Sequence, residues 1–210
     1  MKPRPQFDRD IHPMLQKRWS PRAFSSRPVG EQERMALFEA ARWAASSMNE
    51  QPWRFVYAMP EQPERYRSLF SCLSDNNQRW AGAAPLLILA LVKTTFTHND
   101  RPNPFALHDL GLAMGNLTLQ ASALDLYVHH MGGFSRTKVN AAFDLPPGLE
   151  PVTIIAVGYL GDPESLPADL RKRELAEQQR RSVEDTILNA PLAGAHVGRD
   201  DRPDGTKDGL

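Results

Sequence analysis

The sequence predicts an α+β fold, and three observations carry that expectation. Segments with helical spacing of apolar residues and segments with strand-like alternation are interspersed, without a regular strand–helix–strand succession. One run, residues 86–92, is apolar at every position, as a strand covered on both faces must be. The chain has 210 residues, enough to build one substantial core. A single unit is therefore expected over residues 1–193. A flexible tail is expected over 194–210, where Gly, Asp and Arg dominate.

The elements follow in order. Residues 8–18 are expected to form a short helix. The stretch SPRAFSSRPVG (20–30), with two prolines, one glycine and three serines, is a loop. Residues 31–45 form a helix by the row Met35, Phe38, Ala41 and Ala45, with Glu31, Glu33 and Arg34 off that row. WRFVYAM (53–59) is a strand with Trp53, Phe55, Tyr57 and Met59 on one side. Residues 61–73 suit a surface helix, and 86–92 the covered strand. A long helix spans about 104–125, with one apolar row through Leu107, Leu110, Met114, Leu117, Ala121 and Leu124 and a second through Phe105, Leu112, Leu119 and Leu126. Two apolar rows call for burial on more than one side, and Gly111 and Gly115 allow another backbone to approach. One domain of 210 residues could bury such a helix alone, but a partner helix of a second subunit would do so more easily, so a homodimer is the expected assembly. YVHHM (127–131) is a strand broken by GGF, residues 135–143 form a short helix, 151–160 a strand, and 170–189 a charged, partly helical stretch.

Composition excludes some functions. Lys and Arg together number 25, as do Asp and Glu, so the net charge is zero and no long-range field attracts nucleic acid or an anionic membrane. The single cysteine, Cys72, allows no internal disulfide and suits a reducing compartment, with the thiol buried. The start MKPRPQFDRDIHP lacks the apolar core of a secretory signal, and the run Pro85–Val92 is too short to span a bilayer. A soluble cytoplasmic protein is expected. The six histidines show no metal-ligand spacing, and His129 and His130 on a strand point to opposite faces.

Four stretches could carry chemistry. In KRWSPR (17–22), Arg18 and Arg22 flank the Ser20 hydroxyl around Pro21, the donor set that a phosphate monoester wants; two surface arginines near a helix end would read the same. In SSMNEQPW (46–53), Ser47, Asn49 and Gln51 offer neutral donors and acceptors for a polyol or a heteroaromatic edge, and equally suit the turn that Pro52 demands. In MGGF (131–134), Gly132 and Gly133 let a flat ligand approach the backbone, or make a plain turn. In QQRRS (178–182), Arg180 and Arg181 could complete an anion site opened by Arg18, or form a solvated charged face.

Together, RWSPRAF, SSMNEQPWRF, HDLGLAMGNLTLQASALDL, GGF and PVTIIAVGYLGDP, in that order from about Ile11 to Leu188, resemble the FMN-dependent nitroreductase family. The resemblance implies a mostly antiparallel sheet flanked by helices, an intertwined homodimer, and FMN at each subunit interface. By it, Arg18 and Ser20 serve the flavin phosphate and Arg22 lies near the pyrimidine edge. Ser47, Asn49 and Gln51 come from the other subunit. Gly132 and Gly133 lie beside flavin N5, and Arg180 meets the phosphate. Trp19, Ser46, Met131 and Arg181, inside or next to these motifs, are assigned to the cofactor site with them, and Asn77 is a candidate ring-edge contact. The chain departs from the family at Gln178, where a second basic residue is common, and at Trp80, where some members place a Lys.

The implied activity is electron transfer from NAD(P)H through FMN to a small nitroaromatic, quinone or related acceptor by alternating binding. Flavin N5 exchanges hydride itself, so no protein nucleophile or metal is required, and Arg22 is the candidate cation for the N1–C2=O edge. Three other readings stand beside it: a dedicated enzyme of the same fold, such as a dehalogenase or an enone reductase; a flavin-storage protein without turnover; and an interaction module without cofactor.

Overall fold

A computed structural model describes residue 7 and residues 9–187. The expected tail, 194–210, and the last two residues of the charged stretch lie outside them. The helices are α1 (Pro13–Lys17), α2 (Glu31–Arg42), α3 (Pro63–Ser71), α4 (Asp75–Ala81), α5 (Ala106–Ala123), α6 (Arg136–Phe143) and α7 (Ala168–Leu175). The strands are β1 (Trp53–Ala58), β2 (Leu86–Lys93), β3 (Tyr127–Met131) and β4 (Leu149–Gly158). They form a four-stranded sheet in the order β1-β2-β4-β3, with every pairing antiparallel. The fold is therefore α+β, as the sequence predicts.

β2 is central, and its alternation divides the core. Leu87, Leu89 and Leu91 face one apolar layer with Leu69, Trp80, Met131 and Val139. Leu86, Ile88, Ala90 and Val92 face a second, with Leu37, Leu110, Leu117 and Trp53. The apolar run of β2 up to Val92 fits between two such layers, and Lys93 ends it. Phe55, Tyr57 and Met59 pack on the second layer with Trp53, so the expected one-sided row of β1 is present. β4 carries an extra residue: Ala90 pairs with Thr153 but Leu91 with Pro151. Pro151, which has no N–H to give the ladder, sits at that irregularity.

Several boundaries move. α1 starts only at Pro13, whose fixed φ suits a first helical position, with the His12 ring accepting the Met14 N–H. α2 ends at Arg42, and its buried row is Arg34, Leu37 and Ala41; Met35 is exposed. Arg34 displaces the expected row because its guanidinium lies 4.9 Å over the Tyr57 ring and donates to Met59 Sδ, so its apolar stem is buried with α2. α4, which follows Ser74, has too few apolar positions to show a helical row. Cys72 is buried and its thiol donates to Ser68 O; burial pushes the thiol up. No helix among the described residues is long and apolar enough to cross a membrane.

Candidate functional site

The first cluster is the turn 18–23. α1 stops because Arg18 is extended (φ −63°, ψ 127°), which directs the chain away from the helix axis. Arg18 Nη1 donates to Ser20 Oγ at 3.3 Å, so a guanidinium and a hydroxyl stand together. Trp19 points inward and meets Tyr127 edge-on at 6.0 Å; it shapes the turn from the core side. Pro21 O accepts the His129 Nδ1–H at 2.8 Å. On the other side, the N–H groups of Arg22 and Ala23 donate to the carboxylate of Glu174, at 3.0 and 3.2 Å. Arg22 Nη1 lies 3.9 Å from the same group. Beyond the turn, Gly161 N–H donates to Ala23 O. A Cβ on Gly161 would fall 2.4 Å from the Phe24 backbone, so only glycine permits this approach. The turn is thus fastened by β3, by α7 and by the end of β4.

His129 is a second anchor. Its ring packs 4.5 Å from Trp80, which lies 6.3 Å from Phe24. Burial pushes the imidazole down to about 4, against the carbonyl of Pro21, which favours the protonated ring. His130, on the opposite face of β3, reaches Thr118 Oγ1 of α5 at 3.1 Å. The alternation expected for the pair holds.

The second cluster closes β3. Met131 is buried and its carbonyl accepts the Thr153 hydroxyl, so it offers backbone rather than side chain. Gly133 O accepts Ser74 N–H at 3.0 Å and Asn77 Nδ2 at 2.9 Å. A Cβ on Gly133 would come within 2.8 Å of Ser74 Oγ, whereas one on Gly132 would meet nothing within 4 Å. Gly132 borders open space, and the Asn77 amide nitrogen donates to the glycine segment itself.

The third cluster is 46–51. Met48, Asn49 and Gln51 all have φ between 51° and 54°, the left-handed region, which is costly for residues with a Cβ and persists only where surrounding structure imposes it. The imposing groups are visible. Ser47 N–H donates to Asp109 Oδ2 at 2.9 Å, and Gln51 N–H donates to Ser46 Oγ at 3.0 Å. The Gln51 amide donates to Asn49 O. Glu50 accepts from the Thr97 N–H and hydroxyl and lies 3.6 Å from Lys93 Nζ. Burial alone would raise the Glu50 carboxyl, but the Thr97 hydrogen bonds and the Lys93 charge bring it below its usual range.

Two of these clusters are attached near opposite ends of α5. The third cluster is tied to Asp109 in the first turn of α5. The turn 18–23 follows α1, where Lys17 Nζ donates to Ser122 O in the last turn of α5 and pairs with Asp125 beyond it. Those attachment points lie about 20 Å apart along the helix axis. Arg180 and Arg181 fall after α7, where the chain has left the helix; both are exposed, and Arg180 Nη1 donates to Gln179 O. Three positioning groups, Asp109, His129 and Glu174, escape the sequence reading. Asp109 alone left a local signal, as an acid beside the apolar row of α5.

Residues 15–159 match the family model described as "Nitroreductase family". A protein of Xanthomonas oryzae pv. oryzae provisionally named an NADH dehydrogenase/NAD(P)H nitroreductase is 28% identical over 162 residues, covering 69% of this chain and 81% of that protein. A crystal structure described as an oxidoreductase containing FMN is 31% identical, covers 90% of this chain and 96% of that one, and superposes with a TM-score of 0.83. A nitroreductase-like protein from Desulfovibrio desulfuricans, solved with FMN, shares the fold at a TM-score of 0.68 and 24% identity, with 87% and 99% coverage.

Proposed function

The chain belongs to the nitroreductase family, and from that premise we propose that it is an FMN-dependent oxidoreductase, passing electrons from NAD(P)H to a small nitroaromatic, quinone or related acceptor as a homodimer. One observation carries the reading: a guanidinium, a hydroxyl and a second guanidinium are presented on a single turn fastened from both sides, by His129 and by Glu174. This donor set fits the FMN phosphate and a ring edge. Arg18 and Ser20 would hold the phosphate by charge-assisted hydrogen bonds, and Arg22 would face the pyrimidine edge. Gly132, bordered by open space, leaves room for a flat ring system at the end of β3.

The neutral groups of Ser47, Asn49 and Gln51 would reach the cofactor from a second copy. The separation of the two clusters along α5 supports this reading, as does the outer side of that helix. His108, Gly111, Leu112 and Gly115 lie along one exposed side, and neither glycine has an atom within 4 Å of a would-be Cβ. Leu107 is 63% exposed and Met48 is 72% exposed. Exposed apolar side chains beside two glycines suit a second α5. Arg180 and Arg181 remain proposed phosphate contacts.

When bound, FMN supplies hydride exchange at its N5. The chain's own work is to bind, orient and shield. Arg22 presents positive charge where reduction adds negative charge. The backbone at Gly132 and Gly133 keeps bulk away from the ring, with Asn77 and Ser74 holding Gly133 in place. Asp109 and Glu50 keep the 46–51 turn in its left-handed shape. Anaerobic stopped-flow mixing of the flavin-loaded protein with NADH or NADPH tests the reading. Bleaching of the flavin band, then its return on adding a quinone or nitroaromatic, is the expected outcome. A bound flavin that neither nucleotide bleaches would instead assign a storage role.

A further inference from the structure

We propose that Glu174 is a positioning residue that sets both the direction and the effective charge of Arg22. It rests on the reading of Arg22 as the ring-edge cation. Glu174 is 1% exposed and lies near the end of α7, far from Arg22 in sequence. Both of its oxygens accept the Arg22 N–H at 3.0 Å, Oε1 also accepts the Ala23 N–H at 3.2 Å, and Oε2 lies 3.9 Å from Arg22 Nη1.

A neutral acceptor would be enough to hold two backbone N–H groups. A buried carboxylate carries a large desolvation penalty unless a cation and hydrogen bonds compensate it, and Arg22 supplies both an N–H and a guanidinium. The carboxylate in turn reduces the field that Arg22 projects. The cation next to the ring edge is then half of an Arg22–Glu174 pair, and its influence on the ease of reduction is weaker than that of a lone guanidinium. α7 thereby acts on the cofactor without touching it. The buried carboxylate fixes the peptide that carries Arg22, so the guanidinium leaves the turn in one direction.

Glu174→Gln in the full chain loaded with FMN tests this by the flavin midpoint potential. Gln can accept both backbone N–H groups through its single amide oxygen, in the place of Oε1, but carries no charge. The expected result is a shift of roughly tenfold in the reduced-to-oxidised ratio toward the reduced form, about 30 mV more positive for a two-electron couple. An unchanged midpoint in a protein that keeps its flavin overturns the proposal. If Glu174→Gln does not fold, Glu174→Asp, which withdraws the charge by one methylene, takes its place. A smaller positive shift supports the proposal, and none overturns it. Arg22→Ala with Arg18 retained separates the two levels. A more negative midpoint there with no response to Glu174→Gln rejects the role of Glu174 alone. No shift in either variant rejects the placement of Arg22 as well.

Discussion

Asp109 Oδ2 accepts the backbone N–H of Ser47 at 2.9 Å, from a carboxylate that is 2% exposed. His108 Nδ1 lies 3.0 Å from the other oxygen. The bond joins the first turn of α5 to a turn in which three residues take left-handed backbone. Asp109→Ala leaves the Ser47 N–H without its acceptor and removes an acid from the N-terminal end of α5, where negative charge is favourable. A loss of about 1–3 kcal/mol is expected. Urea unfolding measures it, and FMN affinity should weaken in parallel as the 46–51 turn relaxes. An unchanged midpoint and affinity would mean that the turn holds its shape without Asp109.

Arg18→Ala combined with Arg22→Ala should abolish flavin retention, because the phosphate dianion loses the Arg18 guanidinium and the ring edge loses Arg22 at the same turn. Gel filtration followed by the visible spectrum reads the outcome. Full occupancy after the column would move the phosphate site elsewhere. Asn49→Ala, which removes only neutral groups, should weaken affinity by less, about 1 kcal/mol.

The two glycines after β3 should respond differently. Gly132→Ala meets no atom within 4 Å, so folding stability should stay within about 0.5 kcal/mol while flavin affinity falls as the methyl enters the cofactor's space. Gly133→Ala pushes into Ser74 Oγ and Asn77 Nδ2 and should destabilise the fold itself by about 1–3 kcal/mol. Thermal melts of the flavin-free proteins, compared with FMN titrations, separate the two effects. Equal melting temperatures for the two variants would contradict it.

His129 makes stability depend on pH. Its folded pKa, about 4, lies below the ordinary value of 6.5 because burial disfavours the charged ring. The neutral ring therefore contributes stability that is fully present above pH 6.5 and is lost as pH falls through about 4. The contribution is up to about 3 kcal/mol. Denaturant unfolding at pH 7, 5 and 4 should show the native chain losing more stability than His129→Gln over that interval. Parallel curves would mean that protonating His129 is tolerated in the fold.

The outer side of α5 predicts the assembly. Gly111→Leu introduces a side chain into open space in the single chain and replaces a poor helix former, so the subunit should remain folded. Between two copies the same side chain would hold the backbones apart. Light scattering should show a dimer for the native chain and a monomer for the variant, with flavin lost at the same time. A native monomer at micromolar concentration, or a variant that still dimerises with its flavin, would remove the case for a site shared between copies.

What could be read in the sequence follows from range. β2 was legible because its two buried faces leave a continuous apolar run, and β1 because Trp53, Phe55, Tyr57 and Met59 alternate. α5 was legible by its rows, although Leu107 and Leu112 are exposed in one chain. Within the site, the turns themselves were visible as Ser, Asn, Pro and Gly clusters, while the groups that fasten them were not. Asn77 reaches Gly133 across 56 residues, Asp109 reaches Ser47 across 62, and Glu174 reaches Arg22 across 152. No local period encodes such pairings. The row expected for α2 holds at Phe38 and Ala41 and fails at Met35 and Ala45; hydrophobic spacing gives no weight to an arginine stem, and Arg34 is buried through that stem against Tyr57.

The most direct measurement is the visible absorption of the purified chain after equilibration with FMN and removal of unbound flavin, with the released flavin quantified after denaturation. A yellow protein that carries one FMN per chain is the predicted result. A chain that stays colourless at micromolar FMN while remaining folded would contradict the central claim.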